Sequence, residues 1–282
     1  MNEQQSESHF FSGEIIGSCV LLKNLRVRAH AEVWYCIDRT AGRPAVLKLI
    51  RRDHRRADIF PHLAEVLLQM DCPQLIRLLA FFPAGEYHAA EFEYAACGTV
   101  ASRLKRLGQL PLGEAVFVLR ESLTALGALH DHGIIHRDVK SGNLWIDSEG
   151  GVRLGDFSIA GMKKHREPSP AVFGTPSVMS PEQTKNTAGV DFRSDFFSLA
   201  STVYELLTGQ PRFPHGDFLT ARKMIPESDP ESMGKKLAQY APDDLIGLLI
   251  RMSAIRPADR PRDARSILEE LKQMRLPAVQ LR

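Results

Sequence analysis

The sequence predicts an α+β chain, with sheet first and helices after. Three observations carry that prediction. Strand-like runs crowd residues 15–50 and 75–94, and apolar residues recur at helical spacing from residue 112 onward. Within the helical part lies a short hairpin, residues 144–157, flanked by acids, a cation and an amide. The 282 residues suit one domain-sized unit and little else. Hydrophobic content of 44% and charged content of 25% are those of a globular protein able to bury a full core. A net charge of +2 makes no case for nucleic acid as a partner. Cys19, Cys36, Cys72 and Cys97 are scattered without a Cys-x-x-Cys, which predicts packed thiols in a reducing compartment and no zinc site. No run approaches the about 18 apolar residues needed to cross a bilayer. The polar start lacks a signal pattern, so a cytoplasmic protein without a membrane partner is expected, with residues 1–12 a disordered tail.

Residues 15–22, 33–37 and 45–50 read as strands of a small antiparallel sheet, the last following a turn at Ala41-Gly42-Arg43-Pro44. Asp58-Ile59-Phe60-Pro61 offers a capping acid and an early proline for a helix to about Met70. Residues 75–82 and 87–94 look like two further strands. Thr99 or Ser102 opens a helix through Arg106. Pro111 precedes a helix whose Val116, Leu119, Leu123, Leu126 and Leu129 form a buried stripe. A long apolar helix over 196–207 is stopped by Thr208-Gly209-Gln210-Pro211. A proline-rich loop is expected at 211–230, a final helix at 263–274, and a tail at 277–282.

The chemistry concentrates between His136 and Asp156. The string His136-Arg137-Asp138-Val139-Lys140-Ser141-Gly142-Asn143 leads into the apolar run Leu144-Trp145-Ile146. A turn at Gly150-Gly151 then leads to Val152-Arg153-Leu154-Gly155-Asp156-Phe157. Such a hairpin holds Asn143 and Asp156 at adjacent ends of paired strands, where an amide oxygen and a carboxylate suit a hard cation such as Mg²⁺. Asp138 and Lys140, two apart on extended backbone, fall on one side.

His-Arg-Asp-x-Lys-x-x-Asn followed by Asp-Phe resembles the catalytic loop and metal-binding segment of eukaryotic-type (Hanks-type) serine/threonine protein kinases. Further motifs follow in the same order. Gly174-Thr175-Pro176 and Ser180-Pro181-Glu182 are similar to the close of that family's activation segment. Arg256-Pro257-Ala258-Asp259-Arg260-Pro261 is similar to its late signature. The resemblance implies a bilobal kinase domain over 13–276: a small β N-lobe with one helix, about 13–95, and a mainly helical C-lobe, about 96–276. It implies ATP with Mg²⁺, or Mn²⁺ in its place, as cofactor, and protein Ser/Thr hydroxyls as acceptors. A separate regulatory protein is expected, since no sensor module is recognisable.

Residue by residue, the resemblance makes Asp138 the group that orients the acceptor hydroxyl, with Lys140 and Thr175 beside it. Asn143 and Asp156 become the metal ligands. Lys48, in Ala45-Val46-Leu47-Lys48, would hold the α/β phosphates. Val33, Val46, Arg28, Glu93, Ala95 and Trp145 would line the nucleotide, with Phe92 behind the adenine. Asp195 would brace the catalytic loop and Arg260 would pair with Glu182.

Three departures stand out. The family's phosphate-loop glycines fall on Arg26, Arg28 and Ala31; the arginines either clamp phosphate or lie exposed. The helix glutamate that anchors the strand lysine falls on Leu63, with Glu65 about 200° around the helix, where a short shift would let it serve instead. Ser158 follows Asp156-Phe157 where glycine is usual. The customary phosphorylation position falls on Ala171, with Ser169 nearby. These departures leave a second reading open: a weak or inactive kinase-like scaffold.

Overall fold

The structure, a computed structural model, describes residues 8–54, 57–162, 174–185, 190–214 and 216–281. Its contacts divide the chain into two compact units, residues 1–71 with 76–95, and residues 72–75 with 96–282.

The first unit is a six-stranded antiparallel sheet. Its strands are β1 (Ile15–Ile16), β2 (Cys19–Arg28), β3 (Ala31–Asp38), β4 (Arg43–Arg51), β5 (Leu78–Ala84) and β6 (Tyr87–Glu93), in the order β1-β2-β3-β4-β6-β5. Period-two alternation decides its faces. Trp34, Cys36, Leu47, Leu49 and Ala89 turn to one side and form a core with Cys19 and Leu21. The register places Val33 opposite Lys48, Lys48 opposite Ala90, and Val46 opposite both Tyr35 and Phe92. Directly opposed residues share a face, so Val33, Lys48, Val46 and Phe92 line the other side. Helix α1 (Ile59–Gln69) buries Ile59, Phe60, Leu63, Ala64 and Leu67. Asp58 stands at its N-cap but its side chain makes no capping bond, contrary to expectation.

The second unit begins with α2 (Val100–Leu107), where both candidate starters act together: Thr99 caps and Ser102 closes a reciprocal capping box. Helix α3 (Leu112–Asp131) buries the expected stripe. Strand β7 (Ile134–Ile135) leads to the His136–Asn143 string, then β8 (Leu144–Ile146) and β9 (Val152–Leu154) pair as the predicted hairpin. Strand β10 (Gly161–Met162) pairs with β7. There follow α4 (Pro181–Lys185), α5 (Arg193–Thr208), α6 (Phe218–Met224), α7 (Pro230–Leu237), α8 (Asp243–Met252) and α9 (Ala264–Gln273). Helix α5 is buried almost all round, as its apolar length requires. Among the described residues no helix is long and apolar enough to cross a membrane.

Several expectations need correction. The 211–230 loop contains α6, whose start is capped by Asp217 accepting from the Thr220 amide. Residues 8–12 are not a loose tail: Ser8 and His9 bond to Glu32, and Phe10 packs edge-on against Tyr87 at 5.0 Å. The end of the chain is also tied down, through Val279 N to Gly113 O at 3.0 Å and Leu281 N to Gly150 O at 3.2 Å. Gly150 has φ +82°, and a Cβ there would lie 2.1 Å from the Leu281 carbonyl oxygen, so the turn accepts only glycine. Of the four thiols expected to be packed, Cys19 and Cys36 are buried, Cys72 is half-buried, and Cys97 is exposed.

Two arginines of the second unit, Arg260 buried and Arg212 half-buried with its Nη atoms out of solvent, contrast. Arg260 forks onto Glu182, with Nη1 and Nη2 at 2.6 and 2.8 Å from the two carboxylate oxygens. Arg212 lies 5.0 and 4.9 Å from the ring centres of Phe197 and Phe213, and neither of its Nη atoms has a hydrogen-bond partner among the described residues. Burial lowers its pKa to about 10. Attraction to the rings offsets part of the desolvation cost. Removing one partner of a buried ion pair costs about 3–5 kcal/mol, whereas replacing a desolvated charge that has no ion-pair partner by an apolar side chain removes a desolvation cost. Arg260→Met is therefore expected to lower the urea midpoint sharply, and Arg212→Met to hold or raise it. A loss above about 1 kcal/mol for Arg212→Met would contradict this reading.

Candidate active site

The site is built on a loop that the backbone would not adopt unaided. Arg137 has φ +68°, a left-handed conformation uncommon outside glycine. Asp195, in the first turn of α5 and fully buried, holds it there. Its Oδ1 accepts from the Arg137 amide at 2.7 Å and its Oδ2 from the His136 amide at 3.0 Å. Oδ2 also lies 2.8 Å from His130 Nε2, at the end of α3. Burial alone raises the Asp195 carboxyl. The hydrogen bond and charge of His130, the charge of His136 and the Arg137 amide outweigh it and hold the group below the usual carboxylate range. Helix α5 grips the loop twice more, through Thr202 Oγ1 to Val139 O at 3.1 Å and Ser141 Oγ to Glu205 Oε2 at 3.0 Å.

The predicted residues Asp138, Lys140, Thr175 and Asn143 meet on this loop. Lys140 Nζ donates to Asp138 Oδ2 at 2.7 Å and to Thr175 Oγ1 at 2.6 Å, and Thr175 donates its own proton to Asp138 Oδ1 at 2.6 Å. Asn143 Nδ2 donates to Asp138 O at 2.8 Å and Oδ2 at 3.0 Å. With its amide nitrogen so engaged, Asn143 has its amide oxygen left for a cation. The hairpin brings Asp156 to the neighbouring strand end, where Gly155 N donates to Asn143 O at 2.9 Å. His136 ties the two strings together: Nε2 donates to Gly155 O at 3.0 Å and Nδ1 accepts from Asp138 N at 3.3 Å. Its ring also packs edge-on against buried Phe157.

Asp156 has φ +61°. Ser158, where glycine was the usual residue, donates its hydroxyl to Asp156 Oδ1. The substitution therefore adds a partner for the carboxylate, a role that the loss of a glycine did not suggest. The sequence also passed over Gln183, which donates to Arg137 O at 2.8 Å, and Ser194, which donates to Glu182. Gly161 matters for its missing side chain: a Cβ there would lie 2.2 Å from the Arg137 guanidinium carbon. The expected Arg260–Glu182 pair forms. Burial pushes the Glu182 carboxyl up, but Arg260 and Ser194 bring it below its usual range.

Within the first unit, Val33, Lys48 and Val46 share the sheet face described above, with Arg26 paired to Val33 and Arg28 to Ala31. The β2–β3 hairpin closes on Ala29 and His30, and Arg26 and Arg28 are exposed beside that tip. Leu63 is a core residue. Glu65 is 74% exposed and faces His62 at 3.9 Å, so it does not replace the missing helix glutamate. Glu93 is bonded to Arg77 through both its amide and its carboxylate, and Ala95 closes the unit. Trp145, in the second unit, is half-buried on β8 and bridges to Thr99. Ser169 and Ala171 lie outside the described residues.

Comparison with known proteins agrees with this architecture. The protein kinase domain family matches residues 29–273. The chain belongs to the protein kinase family. It is 28% identical over 235 residues to sporulation-specific protein 1 of Saccharomyces cerevisiae, covering 82% of this chain and 47% of that protein. It is 33% identical over 200 residues to a probable serine/threonine-protein kinase PknB of Bifidobacterium longum, covering 65% and 29% respectively. With serine/threonine-protein kinase PknB of Mycolicibacterium smegmatis it shares 28% over 277 residues, covering 95% and 43%. The chain thus spans less than half the length of each of these relatives.

The depressed Asp195 pKa fixes a sign. A carboxylate with a lowered folded-state pKa contributes stability above its unfolded value of about 4, and loses it as pH falls through the folded value. Asp195→Asn, which leaves buried amide donors short of an acceptor, is expected to cost about 3 kcal/mol at pH 7. That deficit should shrink in acid below about pH 4. Urea unfolding of both proteins at pH 7 and at pH 3 measures it, and an undiminished deficit at pH 3 would contradict the assignment.

Proposed function

We propose that this chain transfers the γ-phosphoryl group of ATP to serine or threonine hydroxyls of protein substrates. The carrying observation is the closed set of bonds among Asp138, Lys140 and Thr175, with Asn143 donating to the same carboxylate. Phosphoryl transfer asks the protein chiefly for positioning and charge neutralisation. Asp138, with both oxygens oriented by neighbours, orients an incoming hydroxyl and accepts its proton. Lys140 neutralises charge on the transferring group, and Thr175 keeps the two apart from other partners. Lys140 and Thr175 together favour an aliphatic hydroxyl, by resemblance to Ser/Thr-directed members. Lys48, on β4, is assigned to the α/β phosphates, and Val33, Val46, Glu93, Ala95 and Trp145 to the nucleotide.

The donor set fits Mg²⁺. Asn143 offers an amide oxygen and Asp156 a carboxylate from adjoining strand ends, and a site with few protein oxygens leaves room for phosphate and water ligands. Bound there, the ion supplies charge neutralisation to the phosphates. Ser158 steadies the Asp156 carboxylate by donating to its Oδ1. Leu63 and the glycine-free hairpin bear on nucleotide affinity and leave the proton-handling groups intact, so the expected deviation from the family is a high KM for ATP.

Transfer of ³²P from ATP to a generic protein substrate tests the proposal. Asp138→Asn is expected to lower kcat by about 10²–10⁴-fold. Thr175→Ala should lower kcat by up to about 10²-fold with little change in KM for ATP, since it loosens geometry alone. Undiminished transfer by Asp138→Asn would refute the role of Asp138. The scaffold reading is separated by thermal shift with Mg-ATP: a hundredfold excess over Kd adds about 2.7 kcal/mol, and no shift at millimolar nucleotide favours the scaffold.

A further inference from the structure

Glu32 is a charged residue in the wrong place for a solvated one. It lies on β3 in phase with Trp34 and Cys36, on the face away from Lys48, and is 2% exposed. Nothing in the proposed reaction uses it. Its carboxylate is saturated by donors, most of them from the segment before β1. Oε1 accepts from His9 N at 2.7 Å and lies 3.3 Å from His9 Nδ1. Oε2 accepts from Ser8 Oγ at 2.6 Å, Trp34 Nε1 at 3.0 Å and Asn24 Nδ2 at 3.4 Å.

The attachment changes character along the segment. From Gly13 onward the main chain is laced to β2, by Gly13 N to Leu21 O at 2.7 Å and Leu21 N to Glu14 O at 2.9 Å. Before Gly13 it is held by the Glu32 carboxylate, the Phe10 ring against Tyr87 and the core beneath it, and single bonds from Phe11 N to Glu14 Oε2 and from Ser12 Oγ to Leu22 O. Phe11 is 68% exposed. Ser8 is exposed on its outer side. Residues 8–12 form a latch on a single buried anion, and a segment so lightly held opens locally far more often than the sheet beneath it.

We propose that Ser8 is a phosphorylation site, and that its phosphate releases this latch. Ser8 engages Glu32 as a proton donor. Phosphoserine has lost that proton and carries close to two negative charges at neutral pH. Re-docking would set this group against a desolvated carboxylate, which like-charge repulsion opposes. Transfer takes place from the opened state, where Oγ has left Glu32 and keeps only its local contacts with the Phe10 backbone, and the phosphate then traps that state by shifting the population. The donor is ATP and the enzyme a second copy of this chain, so this step rests on the phosphotransfer proposed above. The bond from the γ-phosphorus to the β–γ bridging oxygen breaks, a bond to Ser8 Oγ forms, ADP leaves, and the hydroxyl proton passes to Asp138. Release would uncover the Trp34–Tyr87 face of the sheet whose other face carries Val33 and Lys48.

Two measurements on the full chain test the latch. Hydrogen exchange across residues 8–12 is compared in wild type, Ser8→Glu, Ser8→Gln and the double variant Ser8→Glu/Glu32→Gln, with α5 protection as the folding control. Ser8→Glu is expected to exchange about tenfold faster there, Ser8→Gln to stay near wild type, and the double variant to recover. Wild-type protection in Ser8→Glu, or equal exchange in the Glu and Gln variants, overturns the proposal. In the second measurement wild-type chain and Mg-ATP act on the Asp138→Asn chain, followed by phosphosite mapping. Label at Ser8 is expected. Label on a generic substrate but none at Ser8 overturns self-modification and leaves the kinase reading standing. Label on neither overturns the kinase reading and the self-modification together.

Discussion

The second unit depends on one buried carboxylate. Asp195 collects the amides of His136 and Arg137 and the ring of His130, and so fixes a left-handed Arg137. Everything downstream inherits that fixed point. With Arg137 turned, Asp138 and Lys140 emerge on one side, and His136 reaches across to Gly155, next to Asp156. A buried charge is worth its desolvation only when it is fully bonded, and Asp195 is. The cost is placed where it sets the geometry of a loop that propensity would not fold this way.

The same logic recurs in the first unit, with a different outcome. Glu32 is as buried as a core residue and as fully bonded as Asp195, yet beside Trp34 and Asn24 of the sheet its donors are Ser8 and His9, in a short segment at the edge of the fold. One carboxylate is held by the end of a long helix and the His136–Asn143 loop, the other in part by two residues of a short segment with fewer further ties. Equal chemistry at the anion thus gives a rigid brace in one place and a releasable fastening in the other. The difference lies in what else restrains the donors.

Much of this was legible in the sequence where the signal was local. The Gly150-Gly151 turn between two apolar runs foretold the hairpin, and hence the adjacency of Asn143 and Asp156. The helical stripe of α3 and the stop at Gly209 were equally plain. Thr175, Lys48, Asp195 and the Glu182–Arg260 pair came from resemblance alone, since their partners are distant in the chain. Prolines on either side concealed α6. The acid at Asp58 looked like a cap but does not bond as one. Residues 8–12 looked like a tail because polar composition says nothing about a single buried acceptor elsewhere. The available clue was Glu32 itself, a charge in step with the inward residues of β3. In the sequence Ser158 is a glycine lost, whereas in the fold its hydroxyl lies on Asp156.

The chain contains two tryptophans, and the fold assigns one to each unit. Trp34 is 3% exposed, with its indole nitrogen on Glu32, whereas Trp145 is half-buried at the hairpin beside Thr99. Intrinsic emission therefore has two sources with distinct surroundings. A Phe replacement at either position would leave a native fluorophore that reports on a single unit of the intact protein without any added dye.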